Sequence, residues 1–142
     1  MSTTTVERDL TVEDVIARLA KSKERFEKGD VDAIISKYAD DIVVCFADLP
    51  EMKGKIEVEK FLRARFATQG DYKVDKRFLL VSGQTYANSF VGSWTDKTTG
   101  KQYEARGVET LHLEGGLLKV WNCAYNIWEA GKAKESSYFG KF

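Results

Sequence analysis

Residues 102–128, QYEARGVETLHLEGGLLKVWNCAYNIW, decide the fold of this 142-residue chain. Two runs rich in β-branched and aromatic residues flank Gly115-Gly116, a pair typical of a tight hairpin turn. The stretch therefore predicts two antiparallel strands, Gln102–Leu113 and Leu117–Trp128.

Two further strands are predicted before this hairpin, at Tyr72–Val81 and Thr85–Thr95. Short turns join all four, and short connections make neighbouring strands antiparallel, so everything after Gly70 is predicted as one meander. Earlier in the chain, the wholly apolar run Ile42–Ala47 predicts one more buried strand.

Three helices are predicted ahead of the meander. Thr11 and Asp14 form a capping box with Asp in place of the usual Glu or Gln, and Gly29 ends this first helix. Asp30 caps a short second helix, and a third runs from about Ile56 to Ala67. Helices followed by a long antiparallel sheet indicate the α+β class, with the helices on one face of the sheet.

The composition fits one globular domain and excludes several classes of protein. Lys+Arg and Asp+Glu both number 22, which argues against a nucleic-acid partner and against a polybasic membrane anchor. No apolar run is long enough to span a bilayer, and the first ten residues do not resemble a signal peptide. We expect a cytoplasmic protein with a flexible end (1–10), one domain (11–130) and a C-terminal tail (131–142).

The potential metal ligands are sparse. Cys45 and Cys123 stand alone in apolar runs, so neither a disulfide framework nor a zinc site is predicted. His112 is the only histidine, which excludes a histidine-rich metal site. An all-carboxylate site is not excluded, but no cluster of carboxylates suggests one, and we expect no metal and no cofactor.

Glu109 is the most informative ionisable residue in the sequence. Because side chains alternate along a strand, Glu109 shares its face with small and apolar residues: Ala105, Gly107, Leu111 and Leu113. A carboxylate in such a place must be paired, hydrogen-bonded or protonated, which makes Glu109 a candidate general acid or base. The alternative is a structural ion pair with Arg65 or Lys76.

The same alternation on the last strand assigns Asn122 and Asn126 to the pocket face, as polar anchors for a ligand. The opposite face is too apolar for open water, and we predict that it forms a homodimer interface. That face carries Trp121, Cys123, Tyr125 and Ile127.

Several motifs occur in a characteristic order along the chain. They are Phe26-Glu27-Lys28-Gly29-Asp30, Lys37-Tyr38-Ala39-Asp40-Asp41, Gly54-Lys55 before Val58-Glu59-Lys60-Phe61-Leu62, Ser93-Trp94-Thr95-Asp96, and Leu118-Lys119-Val120-Trp121. Together they resemble the nuclear-transport-factor-2-like superfamily, also called SnoaL-like or ketosteroid-isomerase-like. The later half is most similar to a bacterial SnoaL-like branch, through Asp71-Tyr72-Lys73-Val74, Lys76, Ser93-Trp94-Thr95-Asp96, Gly107-Val108-Glu109 and Tyr125-Asn126.

This resemblance implies a cone-shaped, curved antiparallel sheet wrapped around the three helices, with an interior pocket and pairing of two subunits through the outer sheet face. It places Glu109 where ketosteroid isomerases carry a protonated oxyanion-hole aspartate. Their tyrosine and base aspartate fall at Ser22 and Phe46, so a steroid-isomerase mechanism does not carry over. Asn126 matches a position where many SnoaL-like proteins carry an acid/base aspartate.

The remaining candidates each have a structural alternative. Asp48 is a candidate second catalytic carboxylate at the pocket mouth, or else a solvated residue at a strand end. Ser22 is a candidate pocket hydroxyl, or a small residue at a helix–sheet contact. Phe46, Phe66 and Trp94 are candidate ligand contacts, or ordinary core residues.

We therefore predict a domain that binds a small apolar molecule in an interior pocket. The leading hypothesis is an acid/base enzyme that uses Glu109 for isomerisation, cyclisation or hydration/dehydration. The alternative is a non-catalytic ligand-binding or accessory protein of the same fold. The tail residues Tyr138, Phe139 and Phe142 are expected to close the pocket or to reach the partner subunit.

Overall fold

Three helices and six strands follow one another in residues 7–132, the part of the chain that the computed structural model describes. In chain order they are α1 (Val12–Lys28), α2 (Val31–Ile35), β1 (Tyr38–Phe46), β2 (Met52–Lys53), α3 (Lys55–Thr68), β3 (Gln69–Ser82), β4 (Thr85–Asp96), β5 (Gln102–Glu114) and β6 (Leu117–Glu129). The expectations for Tyr138, Phe139 and Phe142 lie outside the described residues. No helix within this range is long and apolar enough to cross a membrane.

The caps of α1 form as the sequence predicts. The Thr11 hydroxyl accepts a hydrogen bond from the backbone N–H of Asp14 (3.1 Å), and the Asp14 carboxylate accepts one from the N–H of Thr11 (2.8 Å). Gly29 ends the helix with a φ of 63°, a left-handed conformation that glycine adopts without steric cost. The first helix and both of its ends are therefore confirmed.

The six strands form one open sheet in the order β2-β1-β6-β5-β4-β3. Strands β3 to β6 are antiparallel neighbours, as predicted, whereas β1 pairs in parallel with β6 and makes the sheet mixed. The two-residue strand β2 was not predicted, because so short a segment has no measurable period. The curved sheet packs against the three helices, and the α+β class is confirmed.

The core lies between the helices and the face of the sheet that they cover. Helix α1 contributes Val15, Leu19 and Phe26, and α3 contributes Val58 and Leu62. The sheet side of the core includes Ile42, Val44, Phe46, Tyr72, Val74, Tyr86, Leu113 and Trp121. Burial of this apolar surface is the main term that holds the helices on the sheet.

An irregularity in β6 reverses the faces that were predicted for it. His112 pairs with Val120 and Leu113 with Leu118, so Lys119 is an extra residue, a β-bulge. Beyond the bulge the alternation restarts one residue out of step. The inward row is therefore Trp121, Cys123, Tyr125 and Ile127, which pair with the inward residues of β5.

Two predictions based on that strand are wrong as a result. Asn122 and Asn126 are exposed on the outer face and do not point into the pocket. Trp121, Cys123 and Tyr125, predicted as interface residues, face the helices instead. The error arose because the prediction assumed that side chains alternate between the two faces without interruption along β6, whereas the bulge at Lys119 shifts the alternation by one residue.

Candidate functional site

A cavity of about 270 Å³ lies between the inner face of the sheet and helices α1 and α3. Aromatic side chains form much of its wall, among them Phe26, Phe46, Tyr72, Trp94, Trp121 and Tyr125. Its charged residues are Asp48, Arg65, Lys76 and Glu109. The exposed residues Asp48 and Leu49, in the loop after β1, mark its mouth.

Glu109 lies on the inner face of β5, with only 3% of its surface exposed. Its Oε1 accepts hydrogen bonds from the Lys76 ammonium and from Asn88 Nδ2 (3.0 Å), and its Oε2 accepts one from Trp121 Nε1 (2.8 Å). The strand alternation therefore predicted the inward orientation of Glu109 correctly. The ion pair with Lys76, one of the two partners named as alternatives, is also present.

The environment of Glu109 keeps its carboxylate ionised at neutral pH. Burial by itself raises the pKa, but the charge of Lys76 and the hydrogen bonds from Lys76, Asn88 and Trp121 together lower it below the ordinary value. Glu109 thus differs from the protonated oxyanion-hole aspartate that the resemblance implied. A charged carboxylate accepts protons and hydrogen bonds and does not donate them.

Asn88 and Lys76 were not selected from the sequence as site residues. Asn88 lies directly opposite Glu109 in the β4–β5 ladder and is fully buried. Its Nδ2 donates to the carboxylate, while its Oδ1 is buried without a hydrogen-bond partner among residues 7–132. The signal for Asn88 was available, because the direct cross-strand neighbour of an inward carboxylate also points inward. Lys76 was named from the sequence only as a possible ion-pair partner.

Arg65 of α3 reaches the cavity through a group of aromatic rings. Its guanidinium carbon lies 4.9–5.5 Å from four ring centroids, those of Phe26, Phe46, Phe66 and Tyr72. Such cation–π contacts hold a cation in an apolar setting. The Nε atom of Arg65 donates to Gln69 Oε1 at 2.9 Å, which fixes the orientation of the planar group.

The other predicted residues are divided among different locations. Phe46 and Trp94 line the cavity. Asp48 is exposed at the mouth, as the solvated alternative anticipated. Phe66 is absent from the cavity wall and packs edge-to-face on Phe26, with ring centroids 5.9 Å apart. Asn122 donates to the Thr110 hydroxyl (3.2 Å) on the outer face.

A second, smaller cavity of about 60 Å³ lies next to the first, and Ser22 is among its lining residues. Lys76, Glu109 and Trp121 line both cavities, and the two phenols of the smaller one are Tyr38 and Tyr86. Burial raises the pKa of Tyr86 to about 12, so this phenol is neutral at physiological pH.

The cavity offers neither a nucleophilic thiol nor a cluster of metal ligands among residues 7–132. Cys123 is a free thiol on the cavity wall, and burial raises its pKa to about 12, which keeps it protonated and a poor nucleophile. Within residues 7–132 no three His, Cys, Asp or Glu side chains converge as a metal site would need. The ionic chemistry available in the larger cavity is therefore that of the Lys76–Glu109 pair, Arg65 and Asp48.

Several solved structures have the same fold. An epoxide hydrolase/cyclase-like enzyme of pyran ring formation in polyether salinomycin has a TM-score of 0.72 at 12% identity, covering 84% of this chain and 99% of that one. An LEH-like epoxide hydrolase of M. tuberculosis has a TM-score of 0.65 at 14% identity, covering 77% and 80%. An NTF2-like protein of unknown function from Burkholderia pseudomallei has a TM-score of 0.68 at 17% identity, covering 78% and 89%.

The sequence itself matches a family model over most of its length. The SnoaL-like domain model aligns with residues 19–121, from α1 through the bulge of β6. No curated protein matches the chain at a significant level. The match includes α2, α3, part of α1 and the Lys76–Glu109 pair, and the chain belongs to the SnoaL-like domain family.

Proposed function

We propose that this SnoaL-like domain binds a small, mainly apolar carbonyl compound in its larger cavity and transfers a proton within it. The observation that carries the proposal is Glu109, an ionised carboxylate that is 3% exposed and lines a cavity walled by aromatic rings. A buried carboxylate beside an apolar cavity is costly to maintain, and such groups cluster at functional sites.

In the proposed reaction, Glu109 removes a proton from the carbon next to the carbonyl group. The electron pair of that C–H bond moves toward the carbonyl oxygen, which accepts a hydrogen bond from the Lys76 ammonium. Glu109 then returns the proton to the same carbon or to another one. This step is common to isomerisation, to aldol-type cyclisation and to dehydration.

The named relatives support a proposal of this kind without specifying the reaction. One is described as an epoxide hydrolase/cyclase-like enzyme and another as an LEH-like epoxide hydrolase. Both are below 25% identity, and one fold hosts many reactions. The assignment to a carbonyl compound therefore depends on the chemistry of Glu109 and Lys76 in this chain.

A second candidate function, non-catalytic binding of the same molecule, is favoured by a separate observation. Both oxygens of Glu109 already accept hydrogen bonds, three in total, so the carboxylate is well satisfied without a substrate. The positions of the isomerase tyrosine and base are occupied by Ser22 and Phe46. In this alternative the ion pair only supports the cavity wall.

Deuterium exchange separates the two functions without knowledge of the natural substrate. Benzylacetone, an apolar ketone, is incubated with the protein in D₂O, and NMR follows the exchange of the protons next to the carbonyl. Binding is measured in parallel by the fluorescence of Trp94 and Trp121, which line the cavity. We expect binding and an exchange rate at least about tenfold above that of buffer.

Two variants identify the base. The double variant Lys76→Met/Glu109→Gln removes both charges together and should abolish the exchange, whereas Asp48→Asn should not affect it. Binding without exchange in the wild type would favour the non-catalytic function. Exchange that survives in the double variant but is lost in Asp48→Asn would assign the base to Asp48 instead.

A further inference from the structure

The larger cavity contains one cation without a compensating carboxylate. Lys76 and Glu109 neutralise each other at the cavity wall. Arg65 has no ion pair within residues 7–132, and the one hydrogen bond that its side chain makes to the protein in that range is the bond from Nε to Gln69. Asp48 is exposed at the mouth, where water screens its charge. The interior of the cavity therefore has an excess positive charge at Arg65.

The orientation of the Arg65 guanidinium leaves its outer edge available. Four aromatic rings lie around the group, at 4.9–5.5 Å from its central carbon, and Nε is engaged by Gln69. The two terminal nitrogens have no protein acceptor in the described chain, and neither is sealed from solvent. These two nitrogens form the fork that pairs with a carboxylate through two parallel hydrogen bonds.

The rings also make this site different from a surface arginine. The faces of the aromatic rings and helix α3 replace much of the water that normally surrounds a guanidinium. An anion that binds there therefore meets a cation that is already partly desolvated. Electrostatic attraction is stronger in such an environment than in bulk water. The aromatic wall next to it accommodates an apolar body attached to the anion.

We infer that Arg65 is an anion-binding residue of the larger cavity, and that the molecule bound there carries a carboxylate on a small apolar body. The inference rests on the proposed function, because it needs a ligand in that cavity. It adds the class of ligand: an apolar carboxylic acid whose carboxylate pairs with Arg65 while its other functional group faces Lys76 and Glu109.

A matched set of probes tests the assignment. Hydrocinnamate, hydrocinnamamide and hydrocinnamyl alcohol share one apolar body and differ in the end group. Affinities are measured by calorimetry on the full chain at neutral pH. We expect the wild type to bind hydrocinnamate at least about tenfold more tightly than the amide or the alcohol, because a charge-assisted bidentate pair replaces neutral hydrogen bonds.

Two arginines of the same helix provide the variant and its control. Arg65→Met should abolish the preference for the carboxylate, so that the acid, the amide and the alcohol bind with similar affinity. Arg63, which is exposed and paired with Asp32 and Glu59, offers a matched substitution: Arg63→Met should keep the preference. Circular dichroism and the melting temperature establish that both variants are folded.

The outcomes separate this inference from the proposed function. Equal binding of the acid, the amide and the alcohol by the wild type would overturn the role of Arg65 and leave the ketone-binding proposal intact. A preference that persists in Arg65→Met would also overturn it. If no probe, benzylacetone included, binds the wild type, both proposals fail. The wild-type comparison decides the matter even if Arg65→Met does not fold.

Discussion

At the scale of single residues, the cost of burying Glu109 is met by three partners from three other strands. Lys76 comes from β3, Asn88 from β4 and Trp121 from β6. A buried ion pair is only marginally favourable as a pair, but removal of one partner leaves an uncompensated charge. The pair therefore makes a sharp prediction about stability.

We predict that Glu109→Gln lowers the free energy of unfolding by about 3–5 kcal/mol, because Lys76 is left buried without a counter-charge. Lys76→Met/Glu109→Gln should recover most of that loss, since neither charge remains. Urea unfolding followed by circular dichroism measures both. A single variant as stable as the wild type would show that the carboxylate does not compensate Lys76.

The pH dependence follows from the direction of the pKa shift. Because the folded-state pKa of Glu109 is lowered, its ionised form stabilises the fold above the ordinary value of 4.5, and this contribution is lost as pH falls through the folded-state pKa. As the pH falls from about 7 to about 3, the unfolding free energy of the wild type should therefore decrease relative to that of the double variant. A difference that is constant over this range would contradict the assignment.

At the scale of elements, strand β6 determines which side chains reach the cavity. The regular alternation of β5 allowed the inward orientation of Glu109 to be predicted from sequence alone. The bulge at Lys119 has no comparable signature, because an extra residue appears only in the pairing of two strands. The same rule therefore succeeded on β5 and failed on β6.

Two neighbouring residues of β6 test this orientation. We predict that Tyr125→Ala weakens binding of benzylacetone about tenfold, because it removes a ring from the cavity wall. Asn126→Ala should leave the affinity unchanged within about twofold, since that side chain lies on the outer face. Tryptophan fluorescence titrations measure both variants, and the reverse result would mean that β6 faces the other way.

The sequence also did not allow the hydrogen-bond and ion-pair partners of Glu109 to be predicted with their final arrangement. Glu109 was singled out from the sequence, but Trp121 was assigned to the opposite face, because the hydrogen bond between them depends on the register of β5 against the shifted part of β6. The choice of Lys76 over Arg65 as ion-pair partner likewise depends on the position of β3 at the sheet edge. Local pattern predicts the elements, whereas the site arises from their mutual placement.

At the scale of the whole molecule, the outer face of the sheet is the surface through which we propose that two copies associate. Of the four residues first predicted for that interface, Trp121, Cys123 and Tyr125 line the cavity, while the outer face exposes Val91 (58%) and Val108 (48%). These valines lie on adjacent strands, where Val91 pairs with Arg106 and Val108 with Ser89. Apolar residues grouped on an open sheet face suit a symmetric contact.

We predict a homodimer in light scattering at micromolar concentration and a monomer for Val108→Glu, because a charge would be buried in the contact. Val12→Glu is the control: Val12 is similarly exposed but lies in the first turn of α1, where an acidic residue is favourable. A wild-type monomer, or dissociation caused equally by both substitutions, would contradict the outer-face dimer.

The Lys76–Glu109 pair lies between two compartments, since both residues line the larger cavity and the smaller one of about 60 Å³. The smaller compartment has room for about two waters, each of which takes up roughly 30 Å³ in the liquid. An occupant of the larger cavity thus covers the carboxylate from one side only. A ligand in the larger cavity therefore leaves the smaller compartment free to hold water against the Lys76–Glu109 pair.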